Sequence, residues 1–85
     1  MKILYFAWLR QKIGLAEETV AAPDNVRTVA DLIAWLESRG ENYRAAFIDL
    51  GRVRAAVNHA HVPLTTAIAP GDEVAFFPPV TGGAP

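Results

Sequence analysis

The chain has 85 residues, a net charge of -1 and no cysteine. That length holds one domain, and the missing cysteines exclude a disulfide framework, a thiolate metal site and a cysteine nucleophile. A near-neutral surface without a Lys/Arg cluster argues against nucleic acid as a partner.

The start, "MKILYFAWLRQK", carries an apolar run only from Ile3 to Leu9, closed by Arg10 and Lys12, with no small-residue cleavage pattern after it. It reads as a first strand over residues 2–7 rather than a signal peptide. No segment approaches the roughly 20 apolar residues that span a bilayer. With disulfides absent, the expectation is a soluble cytoplasmic protein with no membrane partner. "WLRQKIG" is a short helical turn with Leu9 and Ile13 on one side and Gly14 as its stop. "EETVAA" is a second strand returning antiparallel to the first, ended by the turn residues "PDN".

The strongest local signal is "TVADLIAWLESRG". Val29, Leu32, Ile33 and Leu36 recur at i, i+3, i+4 and i+7, one face of a helix. Thr28 and Asp31 have the spacing of a capping box. Asp31 and Arg39 complement the helix dipole, and Gly40 is expected just past the C-cap. "ENYRAAFIDLGR" is expected to be a loop with a short helical turn. "VRAAVN" is a third strand and "HVPL" a short fourth. "APGDE" is a turn, and "EVAFF" is the last strand.

One amphipathic helix covers one face of such a sheet. The fold class is therefore an α+β roll, with the two most apolar strands, the first and the last, adjacent at its centre. Alternation puts Ile3, Tyr5, Val74 and Phe76 under the helix and leaves Leu4, Phe6 and Phe77 on the opposite face. An apolar patch of that kind marks a partner surface. The competing reading is that a segment such as residues 41–52 folds over it.

Pro78 and Pro79 cannot extend a sheet ladder. They divide the chain into a domain over residues 1–79 and a tail over residues 80–85. The tail, "VTGGAP", contains Gly82 and Gly83, whose lack of Cβ suits passage through a narrow channel.

Taken together, "FAWLRQKIG", "AAVN" and above all "GDEVAFFPPVTGG" resemble the MoaD family, the ubiquitin-like sulfur-carrier subunits of molybdopterin synthase, over nearly the whole chain. The resemblance implies a β-grasp fold, a mixed sheet covered on one face by one main helix. It implies that the carboxylate of Gly83, with Gly82 beside it, is adenylated by an ATP-using, E1-like activating enzyme of the MoeB type and converted to a thiocarboxylate. It further implies that the loaded tail enters a large subunit of the MoaE type and gives sulfur to cyclic pyranopterin monophosphate. The chain would hold no permanent cofactor. It would not be an enzyme on its own but one subunit of a sulfurtransferase. The implied partner contacts are Leu4, Phe6, Phe77, Pro78, Pro79, Val80 and Thr81, with His61 in the turn after "AAVN" where the family has an apolar residue.

The family pattern ends at the second glycine, and Ala84 and Pro85 follow it here. The expectation is a precursor trimmed by a peptidase; a paralogue that carries no sulfur, or residues foreign to the natural chain, are the alternatives. A carrier for another pathway such as thiamine synthesis, and a β-grasp interaction module that never carries sulfur, are the competing functions. His59 and His61 form an H-x-H pair but lack a third ligand, so no metal site is expected. Asp72 and Glu73 read as solvated turn residues, Glu17 and Glu18 as solvent-facing charge, and Arg10 as either a partner contact or a solvated side chain.

Overall fold

The computed structural model describes residues 1–79. Strands β1 (Lys2–Tyr5), β2 (Glu17–Thr19), β3 (Arg54–Val57), β4 (Ala60–Val62) and β5 (Glu73–Phe77) alternate with helices α1 (Ala7–Ile13), α2 (Val29–Glu37) and α3 (Glu41–Ala46), and Leu50–Arg52 form a 3-10 turn. The strands make one sheet in the order β2-β1-β5-β3-β4. β1 and β5 lie parallel and the other pairs antiparallel. The two most apolar strands are neighbours within the sheet, as their composition predicts.

Local signals account for the helices. In α2 the Thr28 side chain accepts from the Asp31 amide at 3.1 Å, and Asp31 accepts in return from the Thr28 amide at 3.2 Å. This closes a capping box. Val29, Leu32, Ile33 and Leu36 are all buried. Helix α1 buries Leu9 and Ile13 and stops at Gly14, whose φ of 91° is the left-handed geometry glycine supplies without strain. Gly40 does not do this for α2. That helix ends at Ser38 in right-handed geometry, and Gly40 is extended as the N-cap of α3.

The core lies between the sheet and the helices. Ile3, Tyr5, Val74 and Phe76 face Leu9, Leu32, Ile33 and Leu36 across it. Residues 41–52, partly expected as loop, contribute α3, and Tyr43, Ala46 and Phe47 enter this same core. Phe47 meets Phe76 edge-on at 5.1 Å between ring centroids. The segment therefore packs on the helix side and leaves the opposite sheet face open. Among the described residues no helix is long and apolar enough to cross a membrane.

Glu17 and Glu18 part company, because successive strand residues point to opposite faces. Glu17 lies on the open face and pairs with Lys2 at 3.6 Å. Glu18 turns inward, against the expectation of solvent-facing charge. Its Oε2 accepts from the hydroxyls of Tyr5 and Tyr43, both at 2.7 Å, and its Oε1 from Arg39 at 3.1 Å. Arg39 also lies over the rings of Trp35 and Tyr43. One carboxylate thus ties β2 to β1, α3 and the end of α2. Burial pushes Glu18 up, but the hydrogen bonds from Tyr43, Tyr5 and Arg39 outweigh it and hold the group below the usual carboxylate range. Burial first, then the hydrogen bond to Glu18, pushes both tyrosines above the usual phenol value, Tyr5 far above it.

Candidate functional site

The open face is built by register. Leu4 pairs with Ala75, Ala75 with Ala56, and Ala56 with His61, so these four residues form one row across β1, β5, β3 and β4. One step toward the C-terminal end of β5, Phe77 stands opposite Arg54. Phe6 continues β1 past its last ladder pair, its amide donating to the Phe76 carbonyl at 3.1 Å. The two alanines keep the middle of the face low. Leu4 and Phe77 are half-buried, whereas Phe6 is 47% exposed. The result is a shallow apolar strip with aromatic side chains at the end where β5 leads into Pro78 and Pro79. The alanine floor and Arg54 were not singled out from the sequence, although alternation along "VRAAVN" places Arg54 and Ala56 on one face.

His61 belongs to this strip, but from β4 rather than from the turn. The turn is made by Asn58 and His59, with φ of 49° and 74°, the pair of left-handed residues that a two-residue hairpin loop requires. Asn58 fixes that loop to β5. Its amide donates to the Glu73 carbonyl at 2.8 Å, its Oδ1 accepts from the Glu73 amide at 3.0 Å, and its Nδ2 donates to Asp72 Oδ1 at 3.1 Å. With His59 in the loop, His61 falls on the open face and its ring lies 5.0 Å from that of Phe77. His59 instead faces Glu73, Nε2 to Oε2 3.6 Å. The two imidazoles have separate neighbours, and no group of three metal-ligating side chains occurs among the described residues. Asp72 is a structural turn residue. The Ala69 amide and then Asn58 hold its carboxyl below the usual range.

Pro78 and Pro79 are half-buried at the end of β5. The other proposed tail residues, Val80, Thr81, Gly82 and Gly83, together with Ala84 and Pro85, lie outside the described residues. A groove of about 430 Å³, bordered by Met1, Val20, Val26 and Ile68, opens near the other end of the sheet, where β1 begins.

The strip has the character of a docking face. It is apolar, carries aromatic anchors, and runs to the point where the chain leaves the sheet. It holds no acid–base pair or nucleophile that would do chemistry itself.

Comparison with known proteins agrees with this geometry. The ThiS family matches residues 3–83. The molybdopterin synthase sulfur carrier subunit of Escherichia coli is 40% identical over 98% of this chain and 99% of its own length. The corresponding subunit of Haemophilus influenzae is 35% identical, with coverage of 98% and 99%. Among solved structures, SAMP1 from Haloferax volcanii superposes with a TM-score of 0.72 at 28% identity, covering 98% of each chain. A β-grasp sheet with one open apolar face, a family match across nearly its whole length and full-length relatives named as sulfur carrier subunits lead to one conclusion: the chain belongs to the ThiS family, beside the sulfur carrier subunits of molybdopterin synthase.

Proposed function

We propose that this chain is the sulfur-carrier subunit of molybdopterin synthase, docking on a large subunit through the open sheet face and working through Gly83. The observation that carries the reading is the apolar strip of Leu4, Phe6, Phe77 and His61, which ends where β5 passes into Pro78 and Pro79. A carrier needs a rigid face that sets its orientation and a slim arm that reaches the partner's reaction centre. The names of the Escherichia coli and Haemophilus influenzae relatives, sulfur carrier subunits of a synthase, support both the chemistry and the existence of a larger partner.

The steps follow from the chemistry of a carboxylate. A carboxylate is a poor electrophile. An activating enzyme joins the Gly83 carboxylate to the α-phosphate of ATP and releases pyrophosphate, giving an acyl-adenylate. A sulfur nucleophile then displaces AMP and leaves a thiocarboxylate. Inserted in the large subunit, that sulfur passes to cyclic pyranopterin monophosphate. The glycines serve by offering no Cβ where the arm is narrow. In this sequence Gly83 is joined to Ala84 by a peptide bond, so a peptidase must hydrolyse that bond before Gly83 has a carboxylate to activate.

The test compares the 85-residue chain with a version ending at Gly83, each incubated with the activating enzyme, ATP and a sulfur source. Intact-mass measurement should find one oxygen replaced by sulfur only in the shortened chain. Equal reaction of the intact chain, with its last two residues retained, would refute the requirement for trimming. No reaction of either would refute the carrier role.

A further inference from the structure

Of the three large apolar side chains exposed outside the sheet strip among the described residues, Leu15, Ile48 and Leu50, the last two lie close together in the chain. Ile48 is 84% exposed and Leu50 43%. Single exposed apolar residues are ordinary. These two share one short segment, and the fold sets that segment beside the tail exit. Leu50–Arg52 is a 3-10 turn, and Arg54, just after it, pairs with Phe77, the last residue of β5. Phe47, immediately before Ile48, is locked into the core against Phe76. Arg52 lies over the ring of Trp8, 5.6 Å from its centroid, and Trp8 follows Phe6 by two residues. Side-chain contacts thus bind the segment to the same end of the sheet that carries Phe6 and Phe77.

The arm imposes a limit. Gly83 is four residues beyond Pro79, and four residues reach at most about 14 Å when fully extended. Any protein that receives Gly83 in a reaction centre must bring its surface within that distance of Pro79. It then meets whatever surrounds the exit. The sheet strip lies on one side of the exit and the 48–52 segment on the other. A stable protein interface engages roughly 20–30 residues on each side. The strip of Leu4, Phe6, His61 and Phe77 supplies few of these.

The geometry points to the Ile48–Leu50 segment as a second anchoring point for the large subunit, which grips the carrier on both sides of the tail exit with an apolar socket for these two side chains. This rests on the docking role of the sheet face proposed above. The Trp8–Arg52 stack forms the base of the segment and holds it in place before binding, which keeps the ordering cost of docking low. The same short arm makes the segment unavoidable for a partner that handles Gly83 and irrelevant to one that does not.

The experiment titrates the purified large subunit with four chains: the natural one, Ile48→Glu/Leu50→Glu, Phe77→Ala, and Ala21→Glu as a control on an exposed residue at the far end of the sheet. Because Ile48 and Leu50 already face water, the double variant should melt with the natural chain. It should bind at least tenfold more weakly, and Ala21→Glu should bind unchanged. If Phe77→Ala weakens binding and the double variant does not, the second anchor is overturned and the sheet-face reading stands. If neither weakens binding, both fall. Equal weakening by Ala21→Glu would also overturn the proposal, since the effect would then be one of added charge anywhere.

Discussion

Replacing Glu18 with alanine should destabilise the protein by about 3 kcal/mol. The side chain is only 13% exposed and accepts three hydrogen bonds, from Tyr5, Tyr43 and Arg39. Hydrogen bonds to a charged group contribute about 1.5–3 kcal/mol each, and removing one partner leaves the others to meet the desolvation cost alone. The hydroxyl of Tyr5, on a residue only 1% exposed, would have no replacement from water. Arg39 lies near the surface and rehydrates, so its bond adds little. Two bonds at the lower end of the range give the estimate of about 3 kcal/mol. In a domain this small that corresponds to a fall in Tm of roughly 12–24 °C. Thermal and urea unfolding measure it, and the double variant Tyr5→Phe/Glu18→Ala refines it. Removing the orphaned hydroxyl should recover part of the loss, so the two changes should be less than additive. A cost for Glu18→Ala within the surface range of about 0.5 kcal/mol would refute the account. The pH dependence has a definite sign. Glu18 is held below its ordinary pKa, so its contribution is present above about pH 4.3 and is lost as the pH falls through the folded-state value. The two tyrosines are raised. Their contribution is complete below about pH 10 and is lost as the pH climbs beyond it toward the folded-state values. The stability gap between the natural chain and Glu18→Gln should therefore close in acid.

Phe77→Ala should weaken assembly with the large subunit by about 2 kcal/mol, as for a buried aromatic anchor; calorimetric titration of the two subunits checks it, and unchanged affinity rejects the role. Leu36→Ala should cost about 2–5 kcal/mol in urea unfolding, since Leu36 is fully buried; a loss under about 0.5 kcal/mol would mean its surroundings collapse around the gap. His59→Gly should stabilise the chain by up to about 1 kcal/mol, because a left-handed φ of 74° strains any residue with a Cβ. An unchanged or lower Tm would show that the contact of His59 with Glu73 outweighs the relieved strain.

Some of this protein was readable from the chain alone, because the signals are local. Helix α2 follows from apolar spacing within two turns and from a cap made three residues apart. Gly14 ends α1 because only the local φ is at stake. Strand alternation sorted Ile3, Tyr5, Val74 and Phe76 from Leu4, Phe6 and Phe77. The resemblance carried by "GDEVAFFPPVTGG" pointed to the sulfur carrier subunits that the full-length relatives proved to be. Other features depend on what lies across the fold. Alternation separates Glu17 from Glu18, but only the pairing of β2 with β1 beneath α3 brings Tyr5, Tyr43 and Arg39 to Glu18. Gly40 could have closed α2, but the next helix begins there and takes it as an N-cap. His61 reached the open face because Asn58, held by Asp72 and Glu73, confines the turn to two residues. Residues 41–52 carry too few periodic positions to declare their side. The rings of Phe47 and Phe76, distant in sequence, drew that segment under the sheet and left the opposite face bare. Pairings between distant segments are decided by which apolar surfaces bury each other, and no short stretch of sequence contains both members of such a pair.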